Sequence, residues 1–251
     1  MKVFLMMLAA VCMLSAAAND FTNDTFSTKS GPLTITFVGH GTLMLGWQKL
    51  VVHVDPVGRY ADYSAVMPKA DLILITHEHS DHLDKDAIGH IVKQGTVIVA
   101  NDAVVRQLGG GSALSNGAVT NIRGIMIEAV PAYNLPGKPI TFHPKGRDNG
   151  YVLTFDGLRV YIAGDTEDIP EMKALKNIDV AFLPMNQPYT MTPKQVLNAL
   201  RMIRPKTAYP YHFGNTDTKK LLDIAVPRSL YAAGGWSRTA YRRHHRRHRE
   251  Q

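Results

Sequence analysis

Residues 77–82, His-Glu-His-Ser-Asp-His, place three imidazoles and the Asp81 carboxylate in six consecutive positions, the pattern H-x-H-x-D-H. The run Ala70-Asp71-Leu72-Ile73-Leu74-Ile75 directly before it reads as a buried strand. The cluster therefore falls at the carboxyl end of a strand, where α/β folds place their ligand sites. The chain must bury a strand and then expose a turn rich in metal-binding groups. Neutral imidazole and carboxylate suit borderline-soft divalent ions such as Zn²⁺. His77 and His79 are two apart and can share one side of an extended turn. Asp81 and His82 are adjacent, so they diverge and are placed to serve a second metal. A polar loop with surface histidines is the plainer alternative, but random spacing rarely yields this cluster after a buried strand.

Three further segments have the same strand-then-ligand character. They are Val51-Val52-His53-Val54-Asp55-Pro56, Val160-Tyr161-Ile162-Ala163-Gly164-Asp165-Thr166 and Ala208-Tyr209-Pro210-Tyr211-His212-Phe213-Gly214. With H-x-H-x-D-H they occur in the order seen in the metallo-β-lactamase-fold hydrolases, which the chain resembles from about Leu33 to Leu222. Gly39-His40-Gly41-Thr42, Gly-Asp-Thr and Pro-Tyr-His-Phe-Gly are most similar to the lactonase-like branch, that of the L-ascorbate-6-phosphate lactonases.

The resemblance implies a ligand set. His77 and His79 would bind a first metal, Asp81, His82 and His212 a second, and Asp165 would bridge the two. Paired metals activate a shared water for attack on a carbonyl or phosphorus, and Asp81 would orient that hydroxide or take its proton. Asp55 would orient a ligand histidine through its other ring nitrogen, or else cap a local turn. The family's mid-chain histidine is missing where it is expected, at Val130-Pro131-Ala132-Tyr133-Asn134. Tyr133, Asn134 or His143 is left to complete the first site, or that site is weak. Candidate substrate contacts are His40 at the rim, Lys145 and Arg147 for an anion, and Asn186 and Tyr189 for a carbonyl or hydroxyl. His53 and His90 read as ordinary strand or surface residues.

Residues 1–18 read as a secretory signal peptide: Lys2, an apolar run through Leu14, then Ala16-Ala17-Ala18. The expected location is periplasmic or secreted, with no membrane span after cleavage. Cys12, the single cysteine, lies inside that segment, so the mature chain has neither disulfides nor a thiolate ligand. The formal charge of +7 is misleading, because Ser237–Gln251 carries six arginines and one glutamate. Without that tail and Lys2 the body is nearly neutral, which argues against nucleic acid as a partner.

Residues 19–32 are polar and read as a flexible leader, residues 33–225 as the hydrolase domain, and residues 226–251 as a basic, disordered tail. Strands are expected at Leu33–Val38, Leu43–Leu45, Leu50–Val54, Val97–Ala100, Ile125–Val130, Val180–Leu183 and Thr207–Tyr211. A hairpin is expected around Asp156-Gly157. Helices are expected over Asp84–Lys93, Ala103–Leu108, Ile169–Leu175 and from Thr192-Pro193 to Ile203. Pattern alone gives an α/β or α+β class. The resemblance narrows this to a four-layer αββα sandwich.

The expected activity is hydrolysis of a small lactone, ester or phosphoester by a metal-bound hydroxide. The cofactor would be one or two Zn²⁺ ions, with Mn²⁺ or Fe²⁺ as substitutes. Alternatives are a nuclease or phosphodiesterase acting on nucleic acid, a β-lactam hydrolase, and a metal-binding protein without turnover. The sequence does not address oligomeric state.

Overall fold

Alternation of inward apolar and outward side chains builds two sheets. The computed structural model describes residues 21–137 and 140–220. The first sheet contains β1 (Asn23–Thr28), β2 (Gly31–Gly39), β3 (Thr42–Trp47), β4 (Leu50–Val54), β5 (Leu72–Ile75), β6 (Val97–Ala100) and β7 (Ser112–Ala113), in that spatial order. The second contains β8 (Val119–Ile122), β9 (Ile125–Ala132), β10 (Asp148–Phe155), β11 (Leu158–Ile162), β12 (Val180–Pro184) and β13 (Thr207–Tyr211), again in chain order across the sheet. Both sheets begin as antiparallel meanders and turn parallel at β4–β5 and at β11–β12. The parallel crossovers carry helices: α1 (Lys85–Ile91), α2 (Asp102–Leu108) and α3 (Pro193–Ile203).

Parity along each strand assigns its two faces. Ile35, Leu45, Val52 and Leu74 from the first sheet meet Tyr151, Leu153, Ile162 and Phe182 from the second in one core between the sheets. On the outer face of the first sheet, Ile73 and Ile75 pack with Ala87, Ile88 and Ile91 of α1 and Val104 of α2. On the outer face of the second, Val152, Tyr161 and Ala181 pack with Val196, Leu200 and Ile203 of α3. The layers are therefore αββα, as expected. Truncating Leu74 or Phe182 to alanine in the middle core would cost about 2–5 kcal/mol.

Local signals fix the helix starts. The Asp84 side chain accepts from the N–H groups of Asp86 and Ala87, and Thr192 and Gln195 form a capping box around Pro193. Two expectations need correction. The leader expected to be flexible supplies β1, whose residues 23–28 pair in register with β2. The helix expected over Ile169–Leu175 is a 3₁₀ turn, Pro170–Ala174, whose N-cap Ile169 has no side chain able to accept the free N–H groups. The signal peptide, the basic tail and the last residues of the expected domain lie outside the described residues. Among the described residues no helix is long and apolar enough to cross a membrane.

Candidate metal centre and its relatives

The site sits where strand ends from both sheets converge. β5 delivers Thr76 to His82, Asp55 directly follows β4, the β2–β3 turn presents His40, the residues after β11 present Asp165, and His212 directly follows β13. Left-handed backbone at Asp55 (φ 46°) and His212 (φ 44°) turns both out of their strands. Gly164 is required before Asp165. Its φ is +64°, and a Cβ there would lie 2.7 Å from the Asn149 carbonyl oxygen. Its N–H donates to the Tyr211 hydroxyl at 2.8 Å, so the second sheet fixes this turn.

Three groups of ligand atoms lie within 4.8 Å of one another: His77, His79 and His143; His77, His82 and Asp165; and His40, Asp81, His82 and His212. Asp165 touches both sides. Its Oδ2 is 3.4 Å from His143 Nε2 and 3.3 Å from His212 Nε2, and its Oδ1 is 3.5 Å from His82 Nε2. Nε2 of His77, His82 and His212 and Oδ1 of Asp165 are all buried, and none has a hydrogen-bond partner among the described residues. A buried polar atom left unpaired is costly. Four of them gathered in one cluster fit divalent cations far better than a hydrogen-bond network.

Two of the rings, His82 and His143, are oriented from behind by carboxylates. His82 Nδ1 is 2.8 Å from Asp55 Oδ2, and Asp55 also accepts from Thr76 N and Oγ1 at 2.8 and 2.7 Å. His143 Nδ1 is 2.9 Å from Asp148 Oδ2, and Arg147 in turn grips Asp148 through Nε at 2.6 Å. The structure thus brings His143 to His77 and His79. Tyr133 and Asn134 are engaged elsewhere. The Tyr133 hydroxyl donates to Glu171 at 2.8 Å, Asn134 Oδ1 accepts the N–H groups of Phe142 and His143, and its Nδ2 donates to the Tyr189 carbonyl.

Charge follows from the packing. Burial drives the His77 imidazole far below its ordinary pKa, which keeps it neutral as ligation requires. Burial also lowers His79. Burial would lower His82 too, but the Asp165 and Asp55 carboxylates outweigh it and raise its pKa. A proton and a cation therefore compete for His82. Burial would raise Asp165 and Asp81. Neighbouring His212 and His82 hold Asp165, and His212 and His40 hold Asp81, well below the usual carboxylate range.

A cavity of about 350 Å³ opens over this cluster. Its floor is His79, Asp81, His143, Asp165 and His212, and its walls are His40, Arg59, Tyr60, Phe142, Asn186 and Tyr189. Of the expected substrate contacts, His40, Asn186 and Tyr189 line it. Lys145 and Arg147 do not: Lys145 pairs with Glu171 at 3.0 Å, and Arg147 with Asp148 and with Glu78 at 3.0 Å. Their charges hold loops together. His53 is buried in β4, with Nε2 3.0 Å from the Pro68 carbonyl, while His90 is exposed. Sequence reasoning missed Arg59, Tyr60, Phe142 and Asp148. Only Asp148, close after His143, carried a signal, since a ligand histidine calls for an acceptor behind it.

Comparison with known proteins places the chain in a family. The family described as the β-lactamase superfamily domain matches residues 34–212. A UPF0173 metal-dependent hydrolase of Thermococcus kodakarensis is 31% identical over 191 residues, covering 71% of this chain and 84% of the relative. The crystal structure of a protein from Parabacteroides distasonis, described as a metal-dependent hydrolase, is 58% identical with a TM-score of 0.78, covering 81% of this chain and 93% of that one. A metallo hydrolase of Ignicoccus hospitalis, at 24% identity and TM-score 0.60 over 80% of this chain and 89% of its own, shares the fold. The chain thus belongs to the β-lactamase superfamily, with the metallo-β-lactamase fold, and is a metal-dependent hydrolase of the UPF0173 kind.

Proposed function

We propose that this hydrolase cleaves a small lactone, carboxylic ester or phosphoester at a two-metal centre. The observation that carries the reading is the position of Asp165, in contact with His143 on one side and with His82 and His212 on the other. In this reading His77, His79 and His143 would hold one ion and Asp81, His82 and His212 the other, with Asp165 placed between the two sets. Zinc suits five imidazoles and two carboxylates, and manganese or iron would be accepted by the same donors. Bound divalent ions supply Lewis-acid polarisation of the scissile group and activation of water.

The protein's own groups do the rest. Asp81, its side chain 34% exposed at the cavity floor and held ionised, can orient the attacking water as a hydrogen-bond acceptor. Asp55 and Asp148 keep the rings of His82 and His143 aimed inward. The cavity volume suits a small substrate rather than a polymer. The Gly39–Thr42, Gly-Asp-Thr and Pro-Tyr-His-Phe-Gly segments favour a lactone within this class. Export is part of the same proposal, supported by the signal-like residues 1–18 and by a site that uses no thiol.

The test is hydrolysis by zinc-loaded protein of a lactone, an ester and a phosphodiester, with chelated protein and Asp165→Ala as controls. Turnover lost on chelation and in the variant supports the proposal. No turnover on any member, or full activity in Asp165→Ala, would sink it.

A further inference from the structure

Among the described residues, the cavity wall contains one lysine or arginine, Arg59, in the loop after β4. The two cations that the sequence offered for anion recognition are neutralised by Glu171 and by Asp148 with Glu78. Arg59 is exposed, and among the described residues no carboxylate oxygen lies within 4.0 Å of its guanidinium. Tyr60, next in the chain, lines the same cavity. A second hollow, which Arg59 also lines, carries Asp62, Asp84 and Asp86. Asp62 there is engaged by Ser64 N and Oγ, and Asp84 by Gly58 N and the first turn of α1. Tyr60 stacks on His40 at 5.5 Å between ring centres, which ties this wall to the metal centre.

We propose that Arg59 is the anion subsite of the cavity, and that the substrate carries a free carboxylate or phosphate besides its scissile bond. The inference rests on the hydrolase reading above. A guanidinium presents a planar fork of donors that matches carboxylate and phosphate oxygens, and the Tyr60 hydroxyl adds a donor beside it. The substrate's charged end is therefore held at the Arg59 wall while its ester or lactone group lies over the floor.

Two esters of equal chain length test this: mono-4-nitrophenyl glutarate, which carries a carboxylate, and 4-nitrophenyl valerate, which does not. The expected result is that wild-type protein favours the glutarate ester in kcat/KM, mainly through KM. Arg59→Gln should shrink that ratio by about tenfold or more, the scale of a lost charge-assisted hydrogen bond. Arg59→Lys should keep part of it. An unchanged ratio in Arg59→Gln at equal metal content overturns the inference. If wild-type protein cleaves neither ester, the lactone and phosphodiester tests above decide the substrate class, and Arg59 is judged without turnover by calorimetric titration with phenylphosphonate. Affinity about tenfold weaker in Arg59→Gln supports the subsite; equal affinity refutes it.

Discussion

Asn134 and His143 are tied in both directions: the Asn134 N–H donates to the His143 carbonyl at 2.8 Å, and Asn134 Oδ1 accepts the His143 N–H at 3.0 Å. The Asn134 side chain also accepts from Phe142 and donates to the Tyr189 carbonyl. A residue expected as a substitute ligand instead closes the loop that carries His143 to His77 and His79. Asp148 then fixes the ring.

Asn134→Ala strands two N–H groups, one of them on buried His143, at about 1–3 kcal/mol for each buried group left unpaired. It should also loosen the first metal set about 10–100-fold, the usual scale for supports behind a ligand. Chelator competition beside a thermal melt checks both. A lower Tm with unchanged metal affinity would confine Asn134 to stability.

The two ligand sets predict separate losses of metal. Wild-type protein should hold two equivalents, His143→Ala and His212→Ala about one each, and Asp165→Ala fewer than either. Elemental analysis of purified, refilled protein decides the matter. Two equivalents retained in His143→Ala would remove that residue from the first site.

His40 braces the second set without needing to be a ligand. Its carbonyl accepts the His212 N–H at 2.9 Å, its ring centre is 3.6 Å from that of His212, and its Nε2 is 3.2 Å from Asp81 Oδ2. Beside it, a Cβ on Gly41 would lie 2.8 Å from His82 Cε1. Both His40→Ala and Gly41→Ala should weaken the second metal by about 10–100-fold and leave the first in place. The visible spectrum of cobalt-substituted protein reads the two sites apart. Identical spectra in parent and variants would refute the brace.

His53 gives a pH signature away from the metals. Burial lowers its pKa to about 4, against about 6.5 in the unfolded chain, while the Pro68 carbonyl pulls weakly upward. Between those values the unfolded state binds the extra proton. Stability is therefore complete above about pH 6.5 and falls as pH drops toward 4, by about 3 kcal/mol. Urea unfolding across this window should show that slope in the parent and lose it in His53→Gln. Parallel pH profiles would mean that His53 titrates normally.

Much of the fold was legible because its signals are local. The apolar run before His77, the Asp156-Gly157 turn and the Thr192-Pro193 start each act within a few residues, and each lies where the pattern placed it. β1 was missed because residues 23–28 are mostly polar, and their strand state comes from pairing with β2. The 3₁₀ turn at Pro170–Ala174 was misread because proline permits either helix type.

H-x-H-x-D-H, Asp165 and His212 stood out in the sequence because each directly follows a strand, and a strand's end fixes where the next side chain can go. The tertiary structure alone decided that His143 is the histidine beside His77 and His79, that Arg147 and Lys145 serve loops rather than the cavity, and that Arg59 faces it. Those outcomes depend on which charges meet across long loops. Such meetings are set by how the two sheets pack, and no local pattern of residues encodes them.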